Sequence, residues 1–126
     1  MNSSALLRNG VLTVVVACGM ACGQFDPEAA RTISQGVYGL TESVDDVCSS
    51  SCDPEPHSMS LSIRTLSERE LVVSVKSNDD GFYEVELASG DYVICTSFER
   101  CTDFRVEPEQ TVRLDYEMSV GPGWKK

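Results

Sequence analysis

The chain predicts an all-β domain: a sandwich of seven short strands behind an N-terminal export segment. Three observations carry this. Beyond residue 22 no stretch repeats apolar residues at i, i+3, i+4 and i+7, the spacing a helix needs to bury one face. β-Branched and aromatic residues fall instead in short alternating runs about ten residues apart, parted by polar turns. Residues 76–95, KSNDDGFYEVELASGDYVIC, hold a strand end, a turn, a strand, a second turn and a third strand.

Within that stretch, Asn78-Asp79-Asp80-Gly81 and Ser89-Gly90-Asp91 have physical reasons to turn. Asx side chains fold back on the backbone, and glycine accepts positive φ. Between them Tyr83, Val85 and Leu87 share one face and Phe82, Glu84 and Glu86 the other. Tyr92 and Ile94 continue the inward set, with Asp91, Val93 and Cys95 opposite. Phe82 and Val93, out of phase with the core, either form a modest apolar patch outside or lie partly covered on edge strands.

The remaining strands follow in order. Residues 33–40 are the first, and Gly36 and Gly39 inside it point to a bulge or a close approach of backbones. Residues 41–56, TESVDDVCSSSCDPEP, read as a loop. Met59, Leu61 and Ile63 alternate with Ser60, Ser62 and Arg64 in the second strand, and 71–75 is the third. The two strands of the 76–95 stretch are the fourth and fifth. The sixth covers 102–107, with Phe104 and Val106 inward. Val112, Leu114, Tyr116 and Met118 are the inward set of the seventh. A chain of this length buries roughly two-thirds of its unfolded surface, enough for one core.

Residues 1–22 stand outside that fold. After Arg8 comes 10–17, GVLTVVVA, shorter than the roughly 20 residues a membrane span requires. It suits the h-region of a signal peptide. Val15-Val16-Ala17-Cys18 resembles the lipobox of bacterial lipoproteins, in which the cysteine is lipidated and becomes the new N-terminus. That implies a lipid anchor at Cys18 and a place in the bacterial cell envelope, at the periplasm or the cell surface. Cys22, after Gly19-Met20-Ala21, is the rival. Motif fit favours Cys18; parity favours Cys22, because lipidation there leaves four cysteines. Ordinary signal cleavage is the alternative to both. Residues 23–31, GQFDPEAAR, then form a short polar tether, and 32–126 the sandwich with its C-terminal tail.

The formal charge is −10, from 20 acidic and 10 basic residues, and Arg8 is the only charged residue of the first 22. So acidic a surface repels nucleic acid and anionic headgroups. Six cysteines in so short a chain indicate an oxidising compartment. Cys95 and Cys101 flank TSFER, and their phase sends both side chains out of the same face, as a cross-hairpin disulfide requires. Cys48 and Cys52, parted by three serines, close a small ring in the loop. Four cysteines allow three pairings, so this local set is the preferred one among them.

The stretch 76–95 also resembles the signature of carboxypeptidase regulatory-like domains. In that family an Asp-rich turn ending in Gly leads into a strand of aromatic and aliphatic residues two apart, and Gly-x-Tyr opens the next. Here these are Asp79-Asp80-Gly81, then Tyr83, Val85 and Leu87, then Gly90-Asp91-Tyr92. Gly36-Val37 and the 60–64 strand fall where the family places its first two strands. The resemblance implies a transthyretin-like (Ig-like) sandwich over about residues 32–118. One departure is the Cys-bearing loop before the second strand. The motifs govern packing and turns, so they bear on fold rather than on function.

No set of residues suggests catalysis. His57 is the only histidine and sits beside Pro56, and no Ser or Cys lies in a nucleophile motif. Asp79-Asp80 and Asp45-Asp46 lack the calcium-loop pattern. Trp124, in Gly121-Pro122-Gly123-Trp124, is either a stacking platform for a glycan or a tail residue folded over the sandwich. The chain is therefore expected to be a non-enzymatic, anchored binding or structural module without cofactor or metal. Its partner would be an envelope protein, or a glycan if Trp124 serves as a platform.

Overall fold

The structure, a computed structural model, describes residues 25–44, 53–118 and 123–126. Among these residues the domain is all-β apart from one helical turn, and its strands form two sheets. In chain order they are β1 (Gly36–Ser43), β2 (Glu55–Pro56), β3 (Ser60–Thr65), β4 (Leu71–Lys76), β5 (Phe82–Glu86), β6 (Gly90–Thr96), β7 (Cys101–Val106), β8 (Thr111–Arg113), β9 (Asp115–Met118) and β10 (Trp124–Lys125).

Sheet I is organised around β1, which lies between two pairs of short partners. Its first half pairs antiparallel with β5 and parallel with β8. Its second half pairs antiparallel with β2 and parallel with β9, and β9 carries β10 on its far side. Sheet II has the order β4-β3-β6-β7, antiparallel throughout.

The core lies between the sheets, where the alternation places it. Val37, Tyr83, Val85, Leu114 and Tyr116 from sheet I meet Leu61, Ile63, Tyr92, Ile94, Phe104 and Val106 from sheet II. Ile63 and Ile94 are fully buried. A buried hydroxyl pair links the layers near one end. Thr41 Oγ1 lies 2.6 Å from Ser77 Oγ, which accepts from Met59 N at 2.9 Å.

Several expectations are corrected. The first strand is shifted three residues, to Gly36–Ser43, because Thr41, Glu42 and Ser43 find partners in β2 and β9. The reading of 41–56 as loop thus fails at both ends, since Glu55 and Pro56 also pair. The turn at 78–81 does not close a hairpin: it carries the chain from β4 in sheet II to β5 in sheet I. Its local chemistry is as expected. Asn78 Oδ1 accepts from Asp80 N (2.9 Å) and Phe82 N (3.0 Å), and Gly81 takes φ +79. The seventh strand is broken at Leu114 into β8 and β9.

That break has a cause at Gly39. A Cβ there would sit 1.9 Å from the Leu114 carbonyl oxygen, so β1 crosses the last strand in near backbone contact. Side chains take the freed backbone groups. Tyr83 Oη donates to Leu114 O at 2.6 Å, and Asp115 Oδ1 accepts from Leu40 N at 3.0 Å. Burial raises the Tyr83 phenol pKa, with Asp115 nearby adding to it, so the hydroxyl remains a donor.

Candidate functional site

The outer face of sheet I is covered by the segment that enters the domain. Where a tether was expected, residues from Phe25 onward lie on the sheet, with a helical turn α1 at Pro27–Ala30. Asp26 caps it by accepting from Glu28 N, and Pro27 supplies a preset φ without a wasted N–H. Asp26-Pro27 was a legible start signal in a stretch too short to show helical period. Phe25 packs on Phe82 at 5.4 Å between ring centroids.

Of the two readings of Phe82 and Val93, the exposed patch is not found and cover is. Phe82 lies buried beneath Phe25, and Val93 is buried between Arg64 and Asp103, its neighbours across the strands.

Polar contacts fasten the same segment. Both Glu28 carboxylate oxygens lie 2.8 Å from Tyr38 Oη, and Arg113 Nη1 donates to Glu28 Oε2 at 3.0 Å. Arg31 lies 5.0 Å over the Tyr38 ring and donates to Thr111 Oγ1. Burial raises the Tyr38 phenol pKa, and the Glu28 carboxylate adds to it. Further along, Glu84 accepts from Thr32 N at 2.8 Å and from the Thr32 hydroxyl at 2.5 Å. Desolvation pushes the Glu84 pKa up, but these donors outweigh it and the value falls below the usual carboxylate range.

The far margin of sheet II carries the cysteine pair. Cys95 and Cys101 face each other across β6 and β7 and are joined, with Sγ–Sγ 2.06 Å. Between them Phe98 stands 62 % exposed on the turn. Trp124 straps this hairpin to sheet I: its indole N–H donates to Arg100 O at 2.9 Å, and its ring meets Tyr116 edge-on at 5.0 Å. Its N–H is thus committed and its ring half-buried against the core. Cys18, Cys22, Cys48, Cys52 and Asp45-Asp46 lie outside the described residues.

At the opposite end of sheet II an open cleft of about 390 Å³ lies between the 65–67 and 89–92 segments. It offers the hydroxyls of Thr65, Ser67 and Ser89, the Asp91 carboxylate and the edge of Tyr92, whose own hydroxyl donates to Ala88 O. Arg105 neutralises Asp91, with Nη1 3.0 Å from both oxygens, and also donates to Glu107. Such a set can hydrogen-bond a small polar group.

His57 is an exposed loop residue whose backbone, not its ring, is used: N–H to Thr41 O and C=O to Thr41 Oγ1. Among the described residues no group of His, Cys, Asp and Glu is gathered closely enough to hold a metal. Nor is any helix there long and apolar enough to cross a membrane.

No family model matches the chain, and no curated protein or solved structure matches it. Fold and site geometry define a two-sheet, disulfide-bearing all-β domain.

Proposed function

We propose that the chain is a non-enzymatic lipoprotein of a bacterial cell envelope, with a carboxypeptidase regulatory-like, transthyretin-like sandwich that acts by contact. The observation that carries this reading is the docking of Phe25 on Phe82, only a few residues past the candidate lipidation sites. From Cys22 or Cys18 the connection reaches at most about 10 or 25 Å. A lipid there holds the end of the sandwich bearing the 78–81 turn close to the bilayer. The cleft beside Thr65 and Asp91 then faces away from it.

Support for the family reading comes from the residues that suggested it. Asp79-Asp80-Gly81 forms a turn, Tyr83, Val85 and Leu87 point inward, and Gly90-Asp91-Tyr92 opens β6. The cysteine pair suits the oxidising side of a membrane. The carbohydrate reading is weakened by the strap position of Trp124 and is not preferred.

Metabolic labelling with a fatty-acid analogue tests the anchor. Wild type should label, and Cys18→Ser should not. Labelling lost only in Cys22→Ser moves the anchor to that residue, and labelling absent from wild type removes it. A panel of esterase, peptidase and glycosidase substrates tests action by contact. Turnover that survives repurification and disappears in a single acidic or His57 variant contradicts it. A glycan titration that shifts Trp124 fluorescence would restore the carbohydrate reading.

A further inference from the structure

The entering segment covers only part of the outer face of sheet I. Beside it lies an open cavity of about 310 Å³, bounded by that segment, β1, β2, β8 and the 78–81 turn. Its apolar walls are Phe25, Pro27, Leu40, Pro54 and Pro56. Sites for small groups begin at about 300 Å³ and share this mixture of apolar wall and few charges.

Three charged side chains line the cavity: Glu42, Asp80 and Arg113. Arg113 is committed within the fold. Its Nη1 donates to Glu28 at 3.0 Å, and its Nε and Nη2 lie 3.2 and 3.1 Å from the Asp115 carboxylate oxygens. Neither Glu42 nor Asp80 has an ion-pair partner among the described residues. Glu42 stands next to Glu117 in the parallel register of β1 and β9, so two like charges lie side by side. Lys125, the neighbouring cation, is bound to Glu117. Burial raises the Glu42 pKa, and Asp115 and Glu117 add to it against the opposite pull of Lys125 and Arg113. The cavity therefore holds negative charge that the fold leaves uncompensated.

We propose that this cavity receives a basic side chain, lysine or arginine, of a partner protein, with its methylene stem along Phe25, Leu40 and Pro56 and its charged head at Glu42. Charge complementarity selects that occupant. An anion meets the same negative field and is repelled. A neutral apolar group would desolvate the Glu42 carboxylate further and bring it no counter-charge. A metal ion would find two carboxylates here, and no third His, Cys, Asp or Glu among the described residues joins them.

A long basic side chain answers both parts of the site, because its stem is apolar and its head is charged. The proposal takes from the preceding reading only that the chain acts by contact on an envelope protein. Fatty-acid labelling and the substrate panel test that reading, and neither bears on amine binding to the purified chain.

The test is amide and carboxyl NMR on the purified full chain, titrated with N-acetyl-lysine methylamide. N-acetyl-norleucine methylamide, which has a similar stem and no charge, is the control. The lysine probe should move the Leu40, Glu42 and Asp80 amides with a Kd of about millimolar order, as suits a single side chain. The norleucine probe should bind at least about tenfold more weakly. At saturation the Glu42 carboxyl pKa should fall, because an opposite charge beside it favours the ionised form. Glu42→Gln should weaken the lysine probe roughly threefold to tenfold and leave the norleucine probe unchanged. Equal binding of the two probes or a Glu42 pKa that stays in place overturns the proposal. So does no response at Leu40 and Glu42, the outcome if residues 45–52 or a second copy of the chain fill the cavity.

Discussion

Sheet II is built from two local pairs, β3 with β4 and β6 with β7, joined where β3 meets β6. Sheet I takes β1 from near one end of the described chain and sets it parallel to β8 and β9 from near the other. Sheet II rests mainly on alternation, one disulfide and short loops. Sheet I needs Gly39 for a close crossing, Tyr83 and Asp115 for the backbone groups that crossing frees, and Glu28 and Glu84 to hold a covering segment. Long-range pairing is thus secured here by individual polar side chains, and local pairing by pattern. Substitutions should separate the two.

The largest effect is expected at Gly39. Gly39→Ala drives a methyl into the Leu114 carbonyl and should cost about 3 kcal/mol or more. The matched change in sheet II, Ser62→Ala on the outer face of β3, should stay within about 0.5 kcal/mol. Urea unfolding of both variants reads the contrast, and equal costs would dissolve it.

Next is the margin of sheet II. Replacing Cys95 and Cys101 together by Ala should cost about 2 kcal/mol, since the closed ring is short. It should also shift Trp124 emission, because the strap ends on Arg100 inside that ring. An unchanged urea midpoint would show that the hairpin needs no staple.

Tyr83→Phe should cost about 1–2 kcal/mol by leaving the Leu114 carbonyl without its buried donor. Its rate of unfolding with the Gly39 variant as reference would show whether crossing and hydroxyl act as one unit. A cost near zero would mean that the hydroxyl is dispensable.

The smallest effects are two opposed pH dependences within sheet I. The folded pKa of Glu84 lies below the ordinary 4.5, so its contribution is present above that value and is lost as pH falls through the folded pKa. Burial raises Glu42, with Asp115 and Glu117 adding to it, so its charged form disfavours folding as pH rises through and above 4.5. Glu84→Gln should weaken the fold at neutral pH and little in acid. Glu42→Gln should do the reverse, with a small gain at neutral pH. Carboxyl shifts followed by NMR against pH would check both directions.

The same contrast explains what the sequence discloses. Met59, Leu61 and Ile63, then Tyr83, Val85 and Leu87, alternate plainly, and all are buried as the alternation requires. The Cys95–Cys101 pair was legible because a hairpin joins its strands, so phase alone fixes the face. Turn chemistry at 78–81 announces a reversal of direction but not a change of sheet, which depends on what β5 meets far along the chain. The partners of 41–43 were hidden for the same reason. The outward phase of Phe82 and Val93 was legible, but alternation assigns a face and cannot say what covers it. Glu28, Arg113 and Tyr38 are scattered in sequence, and only the fold brings them together. That β4 stands at an end of sheet II among the described residues likewise emerges only once strand order is known.

Amide hydrogen exchange by NMR on dilute protein tests the contrast most directly. Amides of β1 between Val37 and Thr41, and of β3 and β6, should exchange slowest, near the global unfolding limit. Amides of β4 that face away from β3 should exchange fastest among the longer strands. If the β1 amides exchange as fast as those of β4, the crossing at Gly39 and Leu114 does not hold sheet I together.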